Sequence, residues 1–154
     1  MRRQILVDGY NVINKWKSLK DARKKDMAFA RVELVNMMRR YSDYTDIDVK
    51  VVFDGKGTAP EDNDPMVVFS DKEGSADSSI ERMVYKSLDK KNILVVTSDV
   101  AEQRMVFGMG GFYLNAEDFE KHLLDVLKDE SVEMEHMSRK IRLGNNPKVV
   151  KKNA

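Results

Sequence analysis

The chain contains no cysteine. That excludes a disulfide framework, a thiolate nucleophile and a zinc–thiolate site, and it fits a cytoplasmic protein. Histidine is scarce too: His122 and His136 are the only two, too few for a histidine-rich metal centre. Any metal must then be held by oxygen, which selects hard cations such as Mg2+ or Mn2+. No apolar run approaches the ~20 residues that cross a bilayer. Met1-Arg2-Arg3-Gln4-Ile5 enters a strand at once, leaving no stretch for a signal peptide. No internal repeat and no linker divides the chain.

What is present describes one charged globular domain. The 154 residues are 42% hydrophobic and 34% charged, enough for a sizeable core under a polar surface. The net charge of +1 says little, but its distribution says more. After Glu135 no acid occurs, while Arg139, Lys140, Arg142, Lys148, Lys151 and Lys152 all follow. A second basic group, Arg23-Lys24-Lys25 with Arg31, Arg39 and Arg40, falls on the first long helix. A solvated face is the commoner reason for any one of these side chains. A wholly basic terminus on a near-neutral chain nevertheless favours a polyanionic partner.

Three runs of aliphatic residues end in aspartate: Ile5-Leu6-Val7 before Asp8, Val49 to Phe53 before Asp54, and Ile93 to Val96 before Thr97-Ser98-Asp99. Short apolar runs closed by polar turns read as buried parallel strands. Between them, 3.6-residue spacing predicts a helix from about Lys20 to Tyr41, a second from about Ala76 to Leu88, and a third from Asp99 to about Phe107. Gly9-Tyr10-Asn11 reads as a turn with no helix directly after Asp8. Residues 54–65 read as a long loop, Met66 to Phe69 as a short edge strand, and Phe112-Tyr113-Leu114 as another strand. Asn115 reads as the N-cap of a last helix bearing Phe119, Leu123, Val126 and Leu127. Beyond Ser131 a short helical segment carries Met134, Met137 and Ile141, and the chain past Gly144 is expected to be disordered.

This alternation implies a three-layer α/β/α sandwich with a mostly parallel sheet. The first strand is expected at the centre, with the second strand and the 93–96 strand beside it. A domain over residues 1–130 would then carry a basic extension over 131–154. At the carboxyl edge of such a sheet Asp8 and Asp99 flank the switch point, with Asp54 one strand further out.

Carboxylates gathered at one edge repel one another, and folding gives no reason to collect them. A divalent cation does. Asp8, Asp77 and Asp99 are the strongest candidate ligands. Asp77 falls on the inward stripe of its helix, one turn before Ile80. Asn11 is a neutral group able to orient a ligand, water or phosphate. Asp54 and Glu81 would support these three or hold a second, weaker metal. Each has a simpler reading as well. Asp99 with Glu102 has capping-box spacing, Asp54-Gly55 is a turn, and Glu81 pairs with Ser78 as a capping box. Tyr10 and Trp16 near the first acid are able to stack on unpaired bases, although packing is their commoner use. Lys56 in the 55–65 loop is a candidate contact to RNA or a ribosomal surface.

Val7-Asp8-Gly9-Tyr10-Asn11-Val12-Ile13, Val52-Phe53-Asp54-Gly55, Ser75-Ala76-Asp77-Ser78-Ser79-Ile80-Glu81 and Val96-Thr97-Ser98-Asp99 occur in the order found in NYN-domain proteins. The chain therefore resembles the PIN-like nuclease superfamily over roughly residues 4 to 130, and within it the YacP-like branch. That branch includes a ribosome-associated mRNA endonuclease that cuts in the ribosomal A site. The resemblance implies a PIN-like fold, metal-dependent RNA cleavage and a cytoplasmic setting. By motif position it assigns the acids to Asp8, Asp77 and Asp99, with Asn11 and Asp54 accessory, and leaves Glu81, Glu102 and Asp118 competing for a fourth place. The expected activity is an endoribonuclease acting on mRNA at the ribosome with Mg2+ or Mn2+. The alternative is a non-catalytic RNA- or ribosome-binding module that keeps the fold. A haloacid-dehalogenase phosphatase would need a second aspartate where Tyr10 stands, which weighs strongly against it.

Overall fold

Val7 and Val95 are completely buried at the middle of a five-stranded parallel sheet. The computed structural model describes residues 2–55, 64–70 and 76–144, without the side chains of residues 77, 78, 143 and 144. The strands are β1 (Gln4–Asp8), β2 (Asp48–Phe53), β3 (Val67–Phe69), β4 (Ile93–Val96) and β5 (Phe112–Leu114), in the order β3-β2-β1-β4-β5. The first strand is central, as the apolar runs predicted. It pairs with β2 from Gln4↔Asp48 to Asp8↔Val52, and with β4 from Gln4↔Ile93 to Val7↔Val96.

Two hydrophobic clusters, one on each face, account for the three layers. Ile5, Val7, Val51 and Phe53 face a layer made by α1 (Gly9–Lys15), α2 (Lys20–Lys25), α3 (Met27–Thr45) and α6 (Ala116–Gly144). Leu6, Val52 and Val95 face α4 (Ala76–Lys86) and α5 (Val100–Gly108) through Ala76, Ile80, Val84 and Val106. Alternation along each strand divides its side chains between the two faces.

Three boundaries differ from the sequence expectation, each for a local reason. A helix, α1, begins at Gly9, where a turn was expected. The expected helix over Lys20–Tyr41 is two helices, because Asp26 is extended (φ −167°) and its carboxylate accepts from the Phe29 amide at 2.6 Å. That aspartate uses its side chain as an N-cap, so α2 ends there and α3 starts. α3 then runs four residues past Tyr41 and stops at Asp46, whose left-handed φ of 59° is one that aspartate tolerates.

Asn115 caps α6 as its sequence suggested, its Oδ1 accepting from the Asp118 amide at 2.8 Å. α6 then continues unbroken past residue 130 to Gly144. The change at Ser131 is one of environment rather than of secondary structure, since every residue from 131 to 142 is exposed. Arg40 on α3 holds the last supported turn, donating to Glu130 at 3.0 Å and to Ser131 at 3.2 Å. Among the described residues no helix is long and apolar enough to cross a membrane.

Candidate active site at the carboxyl edge of the sheet

Asp8 ends the central strand, and α1 starts one residue later. A carboxylate in that position would ordinarily cap the helix, yet no side-chain cap bond forms. The acid is 7% exposed and aims instead across the sheet edge, where its Oδ2 accepts from Thr97 Oγ1 at 3.1 Å. Gly9 makes this path possible. A Cβ at Gly9 would overlap the buried Phe53 ring and stand 2.9 Å from the Val52 carbonyl oxygen, so the chain turns against β2 only without a side chain there.

Thr97 follows β4 and is fully buried. Its hydroxyl is also 3.1 Å from Glu102 Oε2 and accepts from the Asp99 amide at 3.1 Å. A hydroxyl carries one proton, so Thr97 can donate to Asp8 or to Glu102 but not to both. Glu102 is 3% exposed. The structure therefore brings two buried carboxylates to one hydroxyl.

This corrects the capping-box reading of Asp99 and Glu102. Asp99 does supply its half, Oδ1 accepting from the Glu102 amide at 3.2 Å. The Glu102 side chain does not reach back to Asp99 but turns inward to Thr97. Of the three acids competing for a fourth position, Glu81 and Asp118 are exposed and Glu102 is buried. The signal was available in the spacing: Glu102 stands four residues before Val106, the buried residue of α5. Thr97 was not singled out, and nothing in its local sequence distinguishes it from an ordinary strand-end threonine.

The loop after β4 is tied on every side. Asn11 Oδ1 accepts from the Ser98 amide at 2.8 Å, joining α1 to this loop. That bond fixes which end of the amide faces Ser98, and no described residue accepts from the Asn11 NH2. Ser98 Oγ accepts from the Ala116 amide at 3.0 Å, and Gln103 Nε2 donates to the Thr97 carbonyl at 2.8 Å. On the other side of β1, exposed Asp54 accepts from the Ala76 amide and so docks the start of α4 against the end of β2. Asp77 is the next residue of α4, but its side chain lies outside the described residues. Among the described side chains, no group of three or more acids or histidines is placed to hold a metal ion.

The remaining candidates separate by burial. Trp16 is fully buried, donates its indole N–H to the Ala116 carbonyl at 2.7 Å and stacks on Phe119 at 6.3 Å. It has no face for a base; packing is its use. Tyr10 is half-buried beside Phe53, and its hydroxyl accepts from Arg31 at 3.3 Å. Arg139, Lys140 and Arg142 are exposed on α6, with Arg139 donating to Glu135 at 2.7 Å. Lys56, Lys148, Lys151 and Lys152 lie outside the described residues.

Two buried carboxylates at one hydroxyl suit a divalent cation. Their repulsion rises as water is excluded, a cation offsets it, and an all-oxygen donor set is what Mg2+ or Mn2+ takes.

Comparison with known proteins gives concordant results. The family model described as the YacP-like NYN domain matches residues 5–152. The uncharacterized protein YacP of Bacillus subtilis (strain 168) is 36% identical over 121 residues, covering 74% of this chain and 71% of that protein. The crystal structure of Rae1 (YacP) from Bacillus subtilis superposes with a TM-score of 0.76 at 28% identity, over 96% of this chain and 90% of that one. Its W164L mutant superposes with a TM-score of 0.72 at 30% identity, over 97% and 89%.

Proposed function

The chain belongs to the YacP-like NYN domain family, and from that membership we propose that it is a metal-dependent endoribonuclease that hydrolyses mRNA on the ribosome. The observation that carries the reading is Asp8. It occupies an N-cap position, makes no cap, and is buried against a hydroxyl that also contacts Glu102. A side chain kept from its ordinary structural use, at the switch point of a parallel sheet, is placed for chemistry.

In this reading Asp8 and Glu102 would hold Mg2+ or Mn2+ together with Asp77 and Asp99. When bound, the metal lowers the pKa of an attacking water and offsets charge developing on the phosphate. Thr97 orients the two buried carboxylates. Asn11, held through its oxygen by the Ser98 amide, turns its NH2 toward a non-bridging phosphate oxygen. Asp54 fixes the first turn of α4, and with it the position from which Asp77 extends. The exposed cations of α6 contribute attraction to the phosphate backbone without sequence preference. The ribosome-bound substrate rests on the resemblance to the YacP-like branch.

The test is cleavage of translated mRNA with Mg2+ or Mn2+, with and without EDTA, comparing wild type with Asp8→Asn and Asp77→Asn. Loss of cleavage in both variants and in EDTA is expected. Equal cleavage by all three proteins would remove these acids from the mechanism. Absence of cleavage by the wild type, with ribosome binding that survives Asp8→Asn and fails when the tail lysines are neutralised, would make the chain a non-catalytic binding module.

A further inference from the structure

A second concavity opens at the opposite edge of the sheet. Its floor is one cross-strand row: Ile5 of β1, Leu94 of β4 and Phe112 of β5, consecutive partners in the parallel register. Burial falls along the row, from Ile5 at 4% exposure through half-buried Leu94 to Phe112 at 55%. The helices of that face cover the centre of the sheet and leave its β5 side open. The space is about 520 Å3, within the range of small-ligand sites.

The chemistry around that floor has one sign. Arg3 and Lys91 stand on the rim, and both are exposed. Neither forms an ion pair with any described residue. Among the described residues no carboxylate lines the groove, although the chain carries 26 acids. One wall is the Tyr41 hydroxyl, 2.9 Å from His122 Nε2. The groove thus offers an aromatic face, an apolar floor, the Tyr41–His122 pair along one side and two cations at the mouth.

We propose that this groove binds a nucleoside phosphate, its base over Phe112 and the Ile5–Leu94 floor and its phosphate between Arg3 and Lys91. An exposed aromatic ring accepts any base face, and the cations meet the phosphate. A simple carboxylate would leave the aromatic face and floor unused. A fatty chain would leave the two cations at the rim without a counter-charge. The groove lies at the amino ends of β1 and β4, its floor residue Ile5 three residues before Asp8, roughly 10 Å at ~3.3 Å per residue. It goes beyond the nuclease reading and does not depend on it.

The experiment titrates 15N-labelled full-length protein with adenosine 5′-monophosphate in the absence of divalent metal, so that failure of the nuclease reading leaves the result interpretable. Amide shifts centred on Ile5, Leu94 and Phe112 are expected. The double substitution Arg3→Ala/Lys91→Ala should weaken binding at least tenfold, and Phe112→Ala, at an exposed position, at least threefold. Shifts confined to Asp8, Thr97 and Asp99, or wild-type affinity in the double variant, would overturn the proposal. So would inorganic phosphate competing as well as the nucleotide, since the base would then contribute nothing. A five-nucleotide single strand distinguishes the source: tighter binding than the monophosphate assigns the groove to a nucleotide of an RNA chain, and equal binding assigns it to a free nucleotide.

Discussion

Asp8 and Glu102, ninety-four positions apart in the chain, each stand 3.1 Å from the same threonine hydroxyl, that of Thr97. They arrive from different elements, a strand end and the first turn of a helix. Neither position would be occupied by a buried acid for the sake of folding alone.

The first prediction concerns Glu102. If it belongs to the acid pair, Glu102→Gln lowers RNA cleavage by at least about tenfold, and the loss exceeds that of Glu81→Gln by a similar factor. Both substitutions keep shape and remove charge. Initial cleavage rates at saturating metal, with circular dichroism to confirm folding, measure it. Equal losses at the two positions would return Glu102 to a purely structural role.

Gly9 supports Asp8 sterically. Gly9→Ala drives a methyl group into the Phe53 ring and toward the Val52 carbonyl, which costs about 1–3 kcal/mol of stability. Urea denaturation measures the cost. Combining it with Phe53→Leu should recover part of the loss, because the ring yields room and the carbonyl does not. Full additivity of the two substitutions would show that the ring is not the obstacle.

Trp16 is predicted to matter for stability and not for RNA. Trp16→Phe removes the indole bond to the Ala116 carbonyl and part of a fully buried ring, at a cost of about 1–3 kcal/mol. The denaturation midpoint should fall while RNA affinity of the folded protein is unchanged. Weaker RNA binding at an undiminished midpoint would reverse that assignment.

Tyr41 links stability to alkaline pH. Burial raises its pKa above the ordinary value of 10.0, with Arg3 pulling it partly back. A folded-state pKa above the unfolded one means that the native state holds the proton more tightly. The contribution is complete below pH 10 and is lost as pH rises through the raised value. Denaturation midpoints measured from pH 8 to 11 should fall more steeply for the wild type than for Tyr41→Phe. Equal slopes would place the alkaline loss elsewhere.

Much of the fold was legible because burial writes itself into apolar runs. Ile5-Leu6-Val7 and Ile93 to Val96 read as central strands, and the sheet order follows from them. Helix boundaries were less legible where one side chain decides them. Asp26 interrupts a continuous apolar period by capping, and α1 begins at Gly9, a residue whose usual use is in turns. At the site, Asp8 was legible as the acid that ends an apolar strand. Its freedom from a capping role was not, since a helix does follow it and the acid makes no cap. Glu102 was hidden by a spacing that suits two roles. Only the direction of its side chain, which depends on Thr97 from another element, separates them.

The position of β1 between two neighbours has a consequence for how firmly the candidate site is held. A strand paired on both sides opens only when the whole sheet opens, so its amides should exchange with solvent last. The chain is held on both sides up to Val7, and Asp8 itself by β2, so fraying from either terminus does not reach the acid. Displacing Asp8 then requires breaking the pairing at the centre of the sheet.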